Sequence, residues 1–492
     1  MPSSDQPPET GSTARMLEVA ARASSGGKGE TETREVITQE DGSKIVRVRR
    51  RKRVSQAPAA LLQSSEEEEK LFHLKLLLWS VVSFVVIGLI LLGVFVFQIF
   101  AHNSPSRVAE IETAIGEHVQ AEVNFKGYRV GRASVNVDSI TAQSARPNTY
   151  DAKFKGLEFK LNSPQLLLGK LVGTKGYAKE AQITLATPSL TYSDAEAAPL
   201  VIPYEHTSLS VDRVNVTWGF DGPQKHRFAI NHAEGKFMRR KKGGFQANIR
   251  NGLILNSGTL PPVWEQSSLI IDSAGLTINS LRLSDGDVGI LSLEGSYERG
   301  GPATQDLSAN IENLKLQNIH PQLARVVEAR ISTPKSTDKR SYARLNPVDS
   351  SFEITSDFLA SESGFVLKHF QFLDYISNKL GSLSQASIVC NKLCQGTVTI
   401  SPTGYQFKDL DLESIANIAI TGDLQISADG SLSGDLSVGL PVSDIISNFP
   451  HVKRGSVETR RGYVWIPLTL SGTTDLPKDD FAINLEKTVA SF

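Results

Sequence analysis

Residues 76–100, LLLWSVVSFVVIGLILLGVFVFQIF, form twenty-five consecutive positions without an ionisable side chain. Nothing else in the chain limits its folding as tightly. A helix of about twenty apolar residues satisfies its own backbone and crosses the ~30 Å hydrocarbon core of a bilayer. A cleaved signal peptide has an apolar core of only ~7–15 residues at the extreme N-terminus, so this run is too long and too far in. Apolar residues cover every face, including Leu76, Trp79, Phe84, Leu89, Leu92, Phe95 and Phe100. The segment is expected to be a single membrane anchor.

Basic residues near the ends of a span are retained on the cytoplasmic side. Lys70 and Lys75 precede the run, and farther back lies SKIVRVRRRKR; beyond it the first cations are Arg107 and then Lys126. The N-terminus is therefore expected inside and the C-terminal bulk outside. Residues 1–70 are polar and poor in aromatics, a composition that predicts a disordered cytoplasmic tail. The tail's basic cluster has the charge to attract anionic lipid or nucleic acid. Glu66, Glu67, Glu68 and Glu69 lie between the cluster and the span, which weakens the lipid-binding reading; the cluster is read as a topology determinant and no nucleic-acid partner is expected.

Beyond about residue 120 the pattern has period two. Val135, Val137 and the following Ile140 open the series, then Leu157, Phe159 and Leu161, then Ile183 and Leu185; similar runs recur to YVWIPLTLSGT. Such alternation marks strands with one buried and one wet face. Asp285-Gly286, Thr403-Gly404 and Asp429-Gly430 are hairpin corners. The fold class expected for residues 105–492 is mainly β, on the order of twenty strands in an elongated, curved sheet that is either a U-shaped groove or a sandwich. Short helices are expected at 106–120, 321–329 and 441–448, and an irregular loop or boundary at 332–347.

Two cysteines, Cys390 and Cys394, are the only ones in the chain. On one extended strand they would stand about 13 Å apart, beyond the ~7 Å limit for a disulfide. A three-residue hairpin loop over 391–393 would instead place them across from each other, which an oxidising compartment would favour. MRRKKGGF around residues 238–245 reads as a hairpin tip presenting Arg239, Arg240, Lys241 and Lys242, either to phosphate head groups or simply to solvent.

Catalytic signals are few. Asp285 and Asp287 in SDGDVG lack the further oxygen ligands of a calcium loop, and the histidines are scattered singly. No Walker loop, nucleophile elbow or His-Glu-x-x-His is present. A non-enzymatic protein without cofactor or metal is expected.

Two regions, one after the anchor and one near the far end, carry a pattern of turn and strand residues. After the anchor and a short helix comes GYRVGRASVNVDSITAQSA. A leucine-rich turn ending in Gly-Lys follows (Leu166, Leu167, Leu168, Gly169, Lys170), and then a P-x-L segment (Pro188, Ser189, Leu190). At the far end, PLTLSGT from Pro467 to Thr473 is followed by Pro477. Together these segments resemble AsmA-like proteins of the Gram-negative envelope, a family from which the chain departs in carrying a long charged tail ahead of the anchor. The resemblance implies an inner-membrane protein with a periplasmic β region, phospholipid as cargo, envelope proteins as partners, and a part in lipid transfer or outer-membrane assembly. A membrane-anchored signalling or scaffold protein is the alternative.

Overall fold

The computed structural model describes residues 32–38, 44–50 and 59–492, apart from 120, 145–149, 186–206, 219–227, 241–243, 256–258, 273–274, 299–304, 321, 337–339, 347–350, 384–385 and 453–458. Two compact units result, Met1–Leu89 and Ile90–Phe492, dividing within a helix.

Of the tail expected to be disordered, residues 1–31, 39–43 and 51–58 lie outside the described residues. β1 (Glu32–Thr38) and β2 (Lys44–Arg50) form an antiparallel hairpin. In its register Val36 faces Val46, Ile37 faces Ile45, and the acids Glu32 and Glu35 face Arg50 and Arg47. Helix α1 (Ala59–His102) also starts earlier than the apolar run alone suggests. Its stretch Ser80–His102 is long and apolar enough to cross a membrane.

The second unit contains the end of α1, helix α2 (Pro105–Val119) and a large mainly antiparallel sheet. Its first half comprises β3 (Ala121–Lys126), β4 (Arg129–Val130), β5 (Ser134–Ser144), β6 (Tyr150–Leu161), β7 (Gly173–Leu185), β8 (Ser208–Trp218), β9 (Phe228–Arg239), β10 (Phe245–Leu255), β11 (Val263–Asp272), β12 (Gly275–Ser284) and β13 (Ile290–Glu298). The second half comprises β14 (Gln305–Glu312), β15 (Leu314–Lys315), β16 (Val327–Ser332), β17 (Ser341–Asn346), β18 (Ser351–Lys368), β19 (Ser387–Cys390), β20 (Leu393–Ser401), β21 (Gly404–Glu413), β22 (Ala419–Ser427), β23 (Leu432–Pro441), β24 (Tyr463–Gly472) and β25 (Pro477–Asp479).

Most strands pair with their neighbours in sequence. β3 and β4 both lie on β5, and β5 to β14 follow one another; the β7–β8 ladder is parallel. The order changes at β14, which pairs with β17. The long β18 then carries β17 and β16 along one side and β20 and β19 along the other. Among the described residues no ladder joins β25 back to β3, so the sheet is open and curled.

Helix α2 and the helix at Val442–Asn448 lie close to their expected positions. Residues 321–329 do not form the expected helix: a single 3-10 turn at Leu323–Arg325 leads straight into β16. Leu323, Val326 and Val327 have helical spacing, but pairing with β18 decides the outcome. The expected loop at 332–347 likewise contains β17, held between β14 and β18.

Candidate functional site: an apolar band along the sheet

The site is built by register. A strand places every second side chain on one face, so aligned strands carry aligned rows. Val137, Leu157, Ala178, Val211, Gly235, Ile249, Ser267, Leu281, Leu293 and Ala309 are successive cross-strand partners from β5 to β14. Ten strands at ~4.8 Å spacing make a row about 43 Å long. Its one side-chain polar group, Ser267, is buried and bonded, accepting from Trp264 Nε1 at 3.2 Å.

A parallel row follows Val135, Phe159, Gly176, Leu209, Phe237, Ala247 and Leu269. Glycine here makes room for rings. A Cβ on Gly176 would stand 2.8 Å from the Phe159 ring, and one on Gly235 would stand 2.9 Å from the Phe237 ring. Phe154, Phe159, Leu209, Val216, Phe237 and Leu276 pack on the core yet stay partly exposed.

The interior of the second half differs. Phe358, Phe365 and Phe407 are fully buried, with ring centroids 5.5 to 6.3 Å apart. Short helices close this end: Phe372 from Gln371–Tyr375 meets Phe481 from Phe481–Ala490 at 6.0 Å. Asp479 ties them together, accepting from the backbone N–H of Phe372 at 2.8 Å and of Phe481 at 3.2 Å. Desolvation there raises its carboxyl above the ordinary range. The apolar face is thus filled by protein toward the C-terminus and partly uncovered toward the N-terminus.

The opposite face is polar. Ser210, Lys236, Asn248, Ser268 and Ser280 are also mutual register partners. They line a cleft of about 600 Å³ together with Asp212, Glu234 and Arg250. Within it Arg250 pairs with Glu234 at 2.8 Å and Tyr177 donates to Asp212.

Of the anchor residues, Phe84 and Phe100 are 79% and 72% exposed, Leu89 and Leu92 are exposed, and Phe95 packs against the core of the sheet unit. Leu76 and Trp79 lie on α1; their side chains are outside the described residues. Arg239 is exposed at the end of β9, while Arg240 pairs with Asp272 at 3.4 Å; Lys241 and Lys242 lie outside the described residues. Pro188, Ser189 and Leu190 lie outside them too.

Cys390 and Cys394 are both buried and carry free thiols. The hairpin that would face them across two paired strands is not formed. β19 and β20 run in the same direction along one side of β18, Cys390 opposite Phe365 and Gln395 opposite Leu359. Burial pushes the Cys394 thiol up to about 12, and Cys390 higher still.

SDGDVG is a structural clasp. Asp285 accepts from the backbone N–H of Asp287, Gly289 and Lys315, the last at 2.9 Å, and Asp287 pairs with Arg330 at 3.0 Å and with Lys315. No group of three or more His, Cys, Asp or Glu among the described residues is placed to hold a metal ion.

Sequence reasoning missed Asn103. Its Nδ2 donates to the Val130 carbonyl at 2.9 Å, and the Val130 N–H donates back to its Oδ1 at 2.7 Å. This two-way bond fastens the end of α1 to β4. Comparison with known proteins identifies no relative: no family model, curated protein or solved structure matches the chain.

Proposed function

We propose that the protein is a non-enzymatic, AsmA-like handler of phospholipid in a bacterial envelope, anchored by α1 in the inner membrane. In this reading the N-terminus is cytoplasmic, as the excess of Lys and Arg before the span favours. The sheet is then periplasmic, and transfer of lipid or assembly of the outer membrane is the process served.

One observation carries the proposal. Beside a buried row that runs over ten strands lies a second, traced from β5 to β11, whose Phe159 and Phe237 stay partly exposed. Acyl chains laid on such a band leave water at about 0.8 kcal/mol per CH₂, while head groups remain in solvent. No bond is made or broken. The row of about 43 Å is shorter than the span between two membranes would demand, so a partner protein in the envelope completes the path.

Photo-crosslinking tests this. With benzoylphenylalanine at Phe159 or Phe237 in living cells, a phospholipid adduct is expected by mass spectrometry, and none at Lys236 on the polar face. Equal labelling on both faces, or none on the apolar one, would remove the basis for transport.

The β1–β2 hairpin favours a second reading, since it gives the tail a folded element for a partner to grip. Deletion of residues 1–43, which removes β1 but keeps the basic residues from Lys44 to Arg53, separates the two. A scaffold loses its function with lipid adducts intact, whereas a lipid carrier keeps both.

A further inference from the structure

We infer that the sheet unit docks directly on the bilayer that α1 crosses, through the loop at 162–172 and the hairpin at 129–134, with Leu168 inserted at the level of the lipid head groups. This rests on the anchoring read above, not on the transport reading.

The loop's height comes from its own geometry. The short helix Ser163–Leu167 ends in a left-handed Gly169, φ +73°; the Gly169 N–H bonds the Leu166 carbonyl at 2.9 Å and the Lys170 N–H bonds that of Gln165 at 3.0 Å. This pairing is a Schellman close, for which glycine is the favoured residue. It brings Gly169 against α1, so that a Cβ there would stand 3.4 Å from the Gln98 amide. Gln98 lies within Ser80–His102, four residues before its end. At 1.5 Å per residue that is about 6 Å back along the helix, near the boundary between the ~30 Å hydrocarbon core and the head groups.

Leu168, next to Gly169, is 72% exposed. Beside a membrane span, its side chain meets lipid rather than water. The hairpin shares this level: Asn103 fixes Val130, and Ser163 Oγ donates to the Arg132 carbonyl at 3.3 Å. Arg129, Arg132 and Lys170 are exposed here, and YRVGRAS and NSPQLLLGKLVGTK contain no acidic residue. An apolar residue surrounded by cations matches an interface of acyl chains and phosphates.

The full-length protein in vesicles of phosphatidylethanolamine and phosphatidylglycerol provides the test. An environment-sensitive thiol dye is placed by Leu168→Cys, with Phe84→Cys as the reporter of the span and Leu253→Cys as an exposed site on β10. The unsubstituted chain checks that its two buried thiols stay unlabelled. Expected is strong quenching of the Leu168 site by a shallow nitroxide lipid, with iodide quenching severalfold weaker than at the Leu253 site. Iodide quenching equal at both sites, with the Phe84 site still lipid-quenched, would overturn docking and leave the anchor standing. Absence of lipid quenching at Phe84 and Leu168 together would overturn docking through its premise.

Discussion

Asn103→Ala should loosen the joint between α1 and the sheet. Val130 is buried, and its N–H and C=O are both taken by the Asn103 amide. Truncation removes both partners at once. An orphaned buried backbone group costs about 1–3 kcal/mol, so two of them, partly rescued by entering water, come to ~2–4 kcal/mol. Local opening of β4 and the start of β5 should then raise amide exchange by roughly 30- to 1000-fold, at 1.36 kcal/mol per decade. Hydrogen exchange with mass spectrometry on peptides covering 128–137 measures this. Asn124→Ala is the comparison, because the Asn124 amide donates to the exposed Glu122 carboxylate at 3.2 Å and not to the backbone of β4. If 128–137 exchange no faster in Asn103→Ala than in Asn124→Ala, the clasp does not hold the helix.

Other expectations follow from the two halves of the interior. Phe358→Ala should cost ~3–5 kcal/mol as a cavity mutation, while Phe237→Ala, already partly exposed, should cost less than half of that; thermal melts in detergent decide, and equal losses would deny the contrast. In the folded protein neither cysteine should react with iodoacetamide at pH 8, Cys394 being pushed up to about 12, and both should react after denaturation. Rapid labelling of the native state would contradict their burial. Lys315 and Arg330 hold the Asp287 carboxyl below its ordinary 3.8. A lowered acid stabilises the fold above the unfolded pKa and loses that contribution as pH falls through the folded one. Acid unfolding below about pH 3.8 should therefore shift in Asp287→Asn, with no shift at pH 7 beyond the loss of the pair itself. Asp479 has the opposite sign, its contribution fading as pH rises through its raised value.

Much of this architecture was legible in the residues. Alternation such as Leu157, Phe159 and Leu161 marks a strand because one face is buried, and that holds whichever strand lies alongside. Register is another matter: that Val137, Leu157, Ala178 and Val211 share a row depends on pairing between distant segments. Gly176 and Gly235 sit inside strands where rings approach closely, and nothing near them in sequence names those rings. Residues 321–329 misled because Leu323, Val326 and Val327 suit a helix and a strand equally over so short a run. The cysteines misled because a three-residue gap fits both a hairpin and a step along one strand's edge. Asn103 gives no local sign beyond its place between the span and Pro105, since its partner Val130 is 27 positions away.

The near-sequential order of the sheet also bears on how it is made. From β8 to β14 each strand lies against the one synthesised just before it. A growing chain can therefore add these strands one at a time, each new edge being covered by the next residues to emerge, and closure entropy stays small at every step. The β7–β8 junction breaks this rhythm, because a parallel ladder requires the chain to travel back before it can pair. Assembly should pause there.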